Sequence, residues 1–413
     1  MKMRKIMACV DIGSDSVKCV VGEMVKRKLN VLAVADAPSK GVKNGIVEEP
    51  NVLLDSLRNV IQKCEEVIGL KIRQVIVSVP ATNASFQAVS GTVEINNEGN
   101  LIEGKDVMHV LQVAIKHKKP DDLEYISMMP LNFALDDNRK VKDPKGLTSK
   151  VLSVCGVMVS TPKKNVYPIL ACLERLEIDV VDISLGVIGD YFEYKTKNSD
   201  QQVCAVVNVG DETTTMAIFN KGVLTNASVN QLGGRNIDND ISFIYKVPLN
   251  TAKNLKENFA LATIGDSILE EDIEVSNKTN EKIKISQKEL SEVVKSRLDE
   301  ILNFSKKEIN HLTKNEISYI ILTGGLTELK NFKDVLEEIY GSNTTLGKIM
   351  EIGVRHNKYS SCLGLLKYYA YYARLKDKDY SIFSIEEQQE LSGANFEVND
   401  SVIGKLFGYI FNG

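Results

Sequence analysis

Apolar and polar positions along the chain fall into a rhythm that occurs twice. An apolar run, Ala8-Cys9-Val10, stops at Asp11, turns at Gly13 through Ser14, Asp15 and Ser16, and resumes as Val17-Lys18-Cys19-Val20-Val21. About half the chain later, Ala205-Val206-Val207 stops at Asn208, turns at Gly210 through Asp211, Glu212, Thr213 and Thr214, and resumes as Met216-Ala217-Ile218-Phe219. Such runs, bounded by glycine and hydroxyl residues, predict buried strands joined as hairpins with polar tips. A third apolar strand, 317–322, runs through Thr323 into Gly324-Gly325-Leu326, and Phe332, Val335, Leu336 and Ile339 follow at helical spacing.

Between these landmarks, apolar positions predict a helix over 52–68 and a strand over 75–79 that Pro80 ends. The rhythm then changes: strand-like 88–95, helical 105–117, strand-like 125–131, a Gly-containing segment 146–149 and a strand over 151–159. This reads as an α/β module inserted at 83–160. A helix over 163–176, a strand over 180–183 and a further helix resume the parent domain. In the second half, 270–281 reads as polar and strand-poor, and 287–312 as a long helix. Residues 376–399 are charged and short of periodic apolar positions, the composition of a flexible linker.

The last residues are different again. With Asp400 or Ser401 as N-cap, a helix over 400–413 places Val402, Ile403, Leu406, Phe407 and Ile410 along one side, with Tyr409 near its edge, Phe411 close by and Lys405 able to snorkel. That is the pattern of a segment lying in a membrane surface. The competing reading is a terminus that packs on the body, which would leave the preceding linker without a purpose.

At 413 residues the chain has room for several domains, and a formal net charge of −4 gives no general attraction to nucleic acid or anionic lipid, so membrane contact must be local. The 7 cysteines are odd in number, form no C-x-x-C pair and mostly sit in apolar runs, which reads as buried reduced thiols. The basic N-terminus enters a strand too early for a signal peptide, and no apolar stretch is long enough to span a bilayer. A cytosolic protein is expected.

A Gly-containing polar tip can cradle phosphate, since glycine admits close backbone approach and hydroxyls add donors; it is also what an ordinary hairpin looks like. A strand entering Gly-Gly can present bare backbone to a flat base or sugar, or be a tight β-to-α connection. The two tips and this turn together resemble the actin-like ATPase superfamily, in which two phosphate hairpins and an adenosine turn surround one nucleotide. Within it the chain resembles the FtsA family of bacterial cell-division proteins over nearly its whole length. The likeness rests on Asp11-Ile12-Gly13-Ser14 with Lys18, the 208–215 loop, Gly233-Gly234-Arg235 through Ile241, Ala252-Lys253-Asn254-Leu255-Lys256, Thr323-Gly324-Gly325, the Lys40–Val47 stretch and the apolar tail. The module at 83–160 stands where that family carries its extra subdomain; actin and the chaperone ATPases carry a different insertion elsewhere, and the pilus protein PilM lacks it.

The resemblance implies an α/β, actin-like (ribonuclease H-like) two-domain fold: 1–82 with 161–200 as the first domain, 83–160 inserted, 201–241 with 317–375 as the second, and 242–316 as its smaller subdomain. It implies ATP and Mg²⁺ bound by Asp11, Gly13, Ser14, Asp15, Ser16, Lys18, Asn208, Gly210, Asp211, Glu212, Thr213, Thr214, Gly233, Gly234, Lys253, Lys256, Gly324, Gly325 and Leu326. Lys18 would neutralise phosphate and Asp11 would orient the waters of the metal ion. It also implies self-assembly into filaments and contact with the C-terminal peptide of the tubulin-like protein FtsZ through the smaller subdomain. Attachment would be at the cytoplasmic face of the membrane at the division site.

Two departures bear on activity. Relatives usually carry Asp where Asn208 stands, and a neutral amide cannot act as a base, although Glu212 returns a carboxylate nearby. They commonly carry Glu, accepting from the ribose, where Lys253 stands. Nor does 184–186 offer a residue to position an attacking water, so ATP binding with weak or no hydrolysis is expected. The alternatives are a soluble small-molecule kinase of the same superfamily, which would need a base aimed at its substrate, or a PilM-like assembly protein.

Overall fold

The computed structural model describes residues 5–116, 120–264, 272–377 and 381. Along the chain come β1 (Ile6–Ile12), β2 (Ser16–Val25), β3 (Lys28–Pro38), the small hairpin β4 (Val42–Lys43) and β5 (Ile46–Val47), α1 (Pro50–Ile68) and β6 (Gln74–Val79). Then follow β7 (Ser85–Glu94), α2 (Gly104–Ala114), β8 (Leu123–Ala134), β9 (Lys140–Val141), β10 (Val151–Pro162), α3 (Tyr167–Glu174), β11 (Asp179–Leu185) and α4 (Gly186–Tyr194). The second half holds β12 (Val203–Val209), β13 (Thr214–Asn220), β14 (Val223–Asn230), α5 (Gly234–Ile244), α6 (Leu249–Asn258), β15 (Asp272–Ser276), β16 (Lys282–Ser286) and α7 (Gln287–Leu312). It closes with β17 (Tyr319–Thr323), α8 (Phe332–Tyr340), β18 (Thr344–Leu346) and α9 (Ser360–Leu375).

The two halves repeat one topology. In the first sheet the order is β11-β6-β1-β2-β3, and in the second β14-β13-β12-β17-β18. In each, a three-stranded antiparallel meander begins on the central strand, and that strand's other edge pairs in parallel with the fourth strand of the unit. The central strands read as continuous apolar runs because helices cover both faces; Ile6 to Val10 and Cys204 to Val207 are fully buried. Helix α1 starts on Pro50, buries Leu53, Leu57, Val60, Ile61 and Cys64 on one side, and ends at Gly69 with φ +74°. Each such large side chain contributes about 1.5–3 kcal/mol of gross burial energy.

The 83–160 region forms its own four-stranded sheet, order β7-β10-β8-β9, with α2 against one face. Its strands are not detachable from the rest. Met129 and Val159 lie in the main core, while Tyr372 and Leu375 of α9 pack into the core beneath α2. Lys145 and the Gly104 N–H both bond the Asp377 carboxylate, so this residue, expected in the linker, is fastened to the inserted sheet.

Several expectations are corrected. The segment read as strand-poor contributes β15, which pairs with β16 from Asp272↔Ser286 to Ser276↔Lys282. Its few apolar residues, Ile273, Val275 and Ile283, pack with Ile285 on the second core in a hairpin otherwise charged. Helix α3 is shorter than 163–176 because Pro168 fits only a first turn, leaving a single 3₁₀ turn over Lys163–Asn165 before it. Six of the cysteines are buried, but Cys155 is exposed. The tail residues Val402, Ile403, Lys405, Leu406, Phe407, Tyr409, Ile410 and Phe411 lie outside the described residues, as does most of the linker. Among the described residues no helix is long and apolar enough to cross a membrane.

Helices α4 and α9 join the halves and cross in close contact. A Cβ on Gly364 would stand 1.7 Å from the Gly189 carbonyl oxygen, and one on Gly189 2.1 Å from that of Ser361. Beside this crossing Lys367 lies 2.9 Å from Glu193 and 2.5 Å from Glu351. Burial pushes the Glu193 carboxyl up to about 8, while burial's upward push on Glu351 is outweighed by hydrogen bonds from Glu193 and Lys367, which hold it below its usual range. The two acids therefore share one proton, seated on Glu193. The folded state keeps a proton that an unfolded glutamate releases near pH ~4.3, so this contribution to stability is full below that pH and is lost as pH rises through about 8. Glu193→Gln mimics the protonated form. Its melting temperature relative to wild type should climb between about pH 5 and pH 9; a gap independent of pH would refute the shared proton.

Candidate functional site

Between the halves opens a cleft of about 850 Å³. Of the residues singled out by sequence for the nucleotide, all but Thr214 and Gly233 line it. The β1–β2 tip and the β12–β13 tip face each other and close in the same way, the Gly13 N–H donating to Ser16 O at 3.1 Å and the Gly210 N–H to Thr213 O at 2.9 Å. The glycine N–H groups thus hold the turns, and an anion is left to the tip residues beyond them. Thr214 is buried with its hydroxyl on Leu232 O, facing away from the cleft. Gly233 lets the start of α5 approach the second tip, since a Cβ there would meet Asp211 O at 2.4 Å.

At the first tip, Lys18 pairs with Asp11 at 3.0 Å. Burial would lower the lysine's pKa, but Asp11 keeps it above the ordinary value, so the cation is retained inside the cleft wall. Lys256 pairs with buried Asp238 at 2.7 Å and donates to Gly234 O. Arg235 pairs with Asp211 at 3.0 Å.

Two contacts cross the mouth. Lys253 bonds Asp15, whose carboxyl burial would raise but Lys253 holds below the usual range. The Asn44 N–H donates to Glu212 Oε2 at 2.7 Å, and the neighbouring Gly45 N–H to Ser14 Oγ at 2.9 Å. Glu212 is thus a strap to the β4–β5 hairpin rather than a replacement for a carboxylate at 208.

The Gly324-Gly325 turn splits its duties. Gly324 has φ +99°, and a Cβ there would strike Val209 O at 2.4 Å, so it is needed for the turn itself. A Cβ on exposed Gly325 would meet nothing within 4 Å, because that position looks into the open cleft.

Sequence reasoning missed Asp190, which lies on α4 at the cleft's back wall and is fully buried. It accepts from Asn208 Nδ2 at 2.7 Å, Ser360 Oγ at 2.6 Å and Ser361 Oγ at 2.9 Å. Burial pushes its carboxyl up to about 6 against those bonds. The available signal was an aspartate inside an otherwise apolar helix, Val187 to Phe192. Asp36, Glu328, His356 and Lys358 also line the cleft and were not foreseen.

Paired glycine tips, retained lysines and a bare glycine surface suit a ligand with both phosphate groups and a flat ring. Among the described residues no cluster of three or more metal-ligating side chains exists. A hydrated magnesium ion carried by a phosphate ligand needs only one or two carboxylates, and Asp11 stands in the cleft wall to provide one.

Comparison with known proteins bears on this arrangement. A family model described as cell division protein FtsA matches residues 205–364, and one described as the SHS2 domain inserted in FtsA matches 81–160. The cell division protein FtsA of Bacillus subtilis (strain 168) is 27% identical over 389 residues, covering 94% of this chain and 88% of that protein. That of Enterococcus hirae is 27% identical over 363 residues, 87% of this chain and 82% of that protein. Among solved structures, the PilM-PilN type IV pilus biogenesis complex aligns with a TM-score of 0.58 at 14% identity, over 87% of this chain and 97% of that one. MreB5 of Spiroplasma citri bound to ADP aligns at 0.57 and 10% identity, over 90% and 99%. The fold is that of the actin-like ATPases, with an SHS2 insertion.

Proposed function

The chain belongs to the FtsA family of cell-division proteins, and from that we propose that it is an actin-like scaffold that binds ATP with Mg²⁺ between its halves. In the same reading it assembles on the cytoplasmic face of the membrane and tethers FtsZ there. The observation that carries the nucleotide reading is the convergence of two glycine tips, Lys18, Lys256 and the open side of Gly325 on one cleft of about 850 Å³. The N–H groups at the tips beyond Gly13 and Gly210 would take phosphate, and Gly325 with Leu326 would face the base. Asp11 would hold the waters of a magnesium ion, which when bound neutralises phosphate charge.

Turnover is slow in this reading. Asn208 is an amide, and Glu212 is held at the cleft mouth by the Asn44 N–H rather than beside Asn208. For the remaining assignments, 83–160 is the inserted subdomain and contributes to a head-to-tail contact, which makes open polymers. The smaller subdomain, 242–316, would receive the FtsZ peptide. Residues 402–411 would supply a weak anchor that polymerisation multiplies by avidity.

The test combines two measurements on the full chain and on a chain truncated before Ser401. Both should bind a fluorescent ATP analogue with the same affinity in Mg²⁺, while only the full chain sediments with phosphatidylglycerol-containing vesicles. Equal sedimentation would reject the tail as anchor, and no analogue binding by either chain would reject the nucleotide reading.

A further inference from the structure

The duplicated topology sets Asp11 and Asn208 at matching places. Each lies near the end of its central strand, Asp11 paired with Lys18 on the antiparallel side and Ser78 on the parallel side, Asn208 with Thr215 and Thr323. One copy therefore carries a carboxylate and the other an amide. We propose that Asp190 supplies, from α4, the second negative charge of the cleft floor, and that it acts through Asn208 to hold the hydrated magnesium ion of the bound nucleotide. This rests on the nucleotide reading above.

Three features support it. Asp190 has 0% exposure, and its three hydrogen-bond donors, Asn208, Ser360 and Ser361, are all neutral. The charge of Asp11, in contrast, is already matched by Lys18 at 3.0 Å. Ser360 and Ser361 open the long helix α9, whose N-terminal end favours an anion there. Finally, with Nδ2 committed to Asp190, the amide of Asn208 turns its oxygen towards Gly324, where a Cβ would come within 2.5 Å of it. A carboxylate bonded to an amide N–H polarises the group, so that its oxygen becomes a better partner for a cation's waters. This is the way outer partners tune a metal's ligands. It also accounts for the amide: an aspartate at 208 would set two carboxylates against each other at hydrogen-bond distance.

Asp190 is thus a positioning residue, and its readout is the effect of Mg²⁺ on nucleotide affinity. A fluorescent ATP analogue is titrated with Mg²⁺ and with EDTA against wild type, Asp190→Asn, Asn208→Ala and the exchange Asn208→Asp/Asp190→Asn. Wild type should gain about tenfold or more from Mg²⁺, and each single variant should lose most of that gain, read as the ratio of its own Mg²⁺ and EDTA affinities. The exchange should regain it. Should Asp190→Asn fail to fold by circular dichroism, Asn208→Ala decides alone. A full Mg²⁺ gain in the folded single variants, or an exchange that is folded but unrescued, overturns the proposal while leaving the nucleotide reading intact. Wild type that binds no analogue in either condition overturns both.

Discussion

Gly325→Leu should abolish binding of labelled ATP, weakening it by about 100-fold or more, or about 2.7 kcal/mol, while the urea midpoint hardly moves. The expectation follows from the contrast between two neighbouring glycines. A Cβ at 325 meets no protein atom within 4 Å, so the first atom of a side chain there enters the open cleft without displacing the fold. It would occupy the surface on which a flat ring has to lie. Stability should stay within about 0.5 kcal/mol, as for a substitution away from packed features. Gly324→Leu makes the control, because with φ +99° and Val209 O at 2.4 Å it disturbs the turn and should cost stability as well as binding. Unchanged affinity in a folded Gly325→Leu protein would remove the cleft as the nucleotide site.

The largest stability effect is expected from Gly364→Ala. Its added methyl would lie 1.7 Å from the Gly189 carbonyl oxygen, a backbone atom that cannot rotate away. Helices α4 and α9 would have to separate, and they carry Tyr191 and Phe192 on one side and Leu363, Leu365 and Leu366 on the other in the same core. Tyr191 also stacks on Phe219 of the second sheet at 4.0 Å, so the disturbance reaches both halves. A loss of about 3 kcal/mol or more is expected, at the upper end for overpacked cores. Urea denaturation followed by circular dichroism measures it, and a loss under about 1 kcal/mol would show that the crossing is soft.

Local patterns accounted for much of the architecture. The two tips, the Gly-Gly turn and the long helix over 287–312 were legible because each is fixed by neighbours in sequence: glycine at a turn, helical apolar spacing, and Ser286 capping the Glu289 N–H. The β15–β16 hairpin was not, since its apolar positions are thinly spread among lysines and glutamates and gain their meaning only against the second core. Roles within the cleft were hardest to read. Glu212 meets Asn44 from 168 positions away, Lys253 meets Asp15 from 238, and Ser360 reaches Asp190 from 170. Such pairings arise only when distant segments fold together, which no local window contains.

The exposed thiol of Cys155 has a practical consequence. It sits on the face of the inserted sheet away from α2, beside the Thr92–Ser153 hydroxyl pair, while the other cysteines are all buried. Burial also raises the pKa of Cys9, Cys204 and Cys362, which keeps them as unreactive thiols. The wild-type chain therefore carries a ready attachment point for a maleimide dye on the subdomain for which a subunit contact is proposed. Fluorescence from that single label would report whether the chain assembles, with no cysteine introduced and none removed.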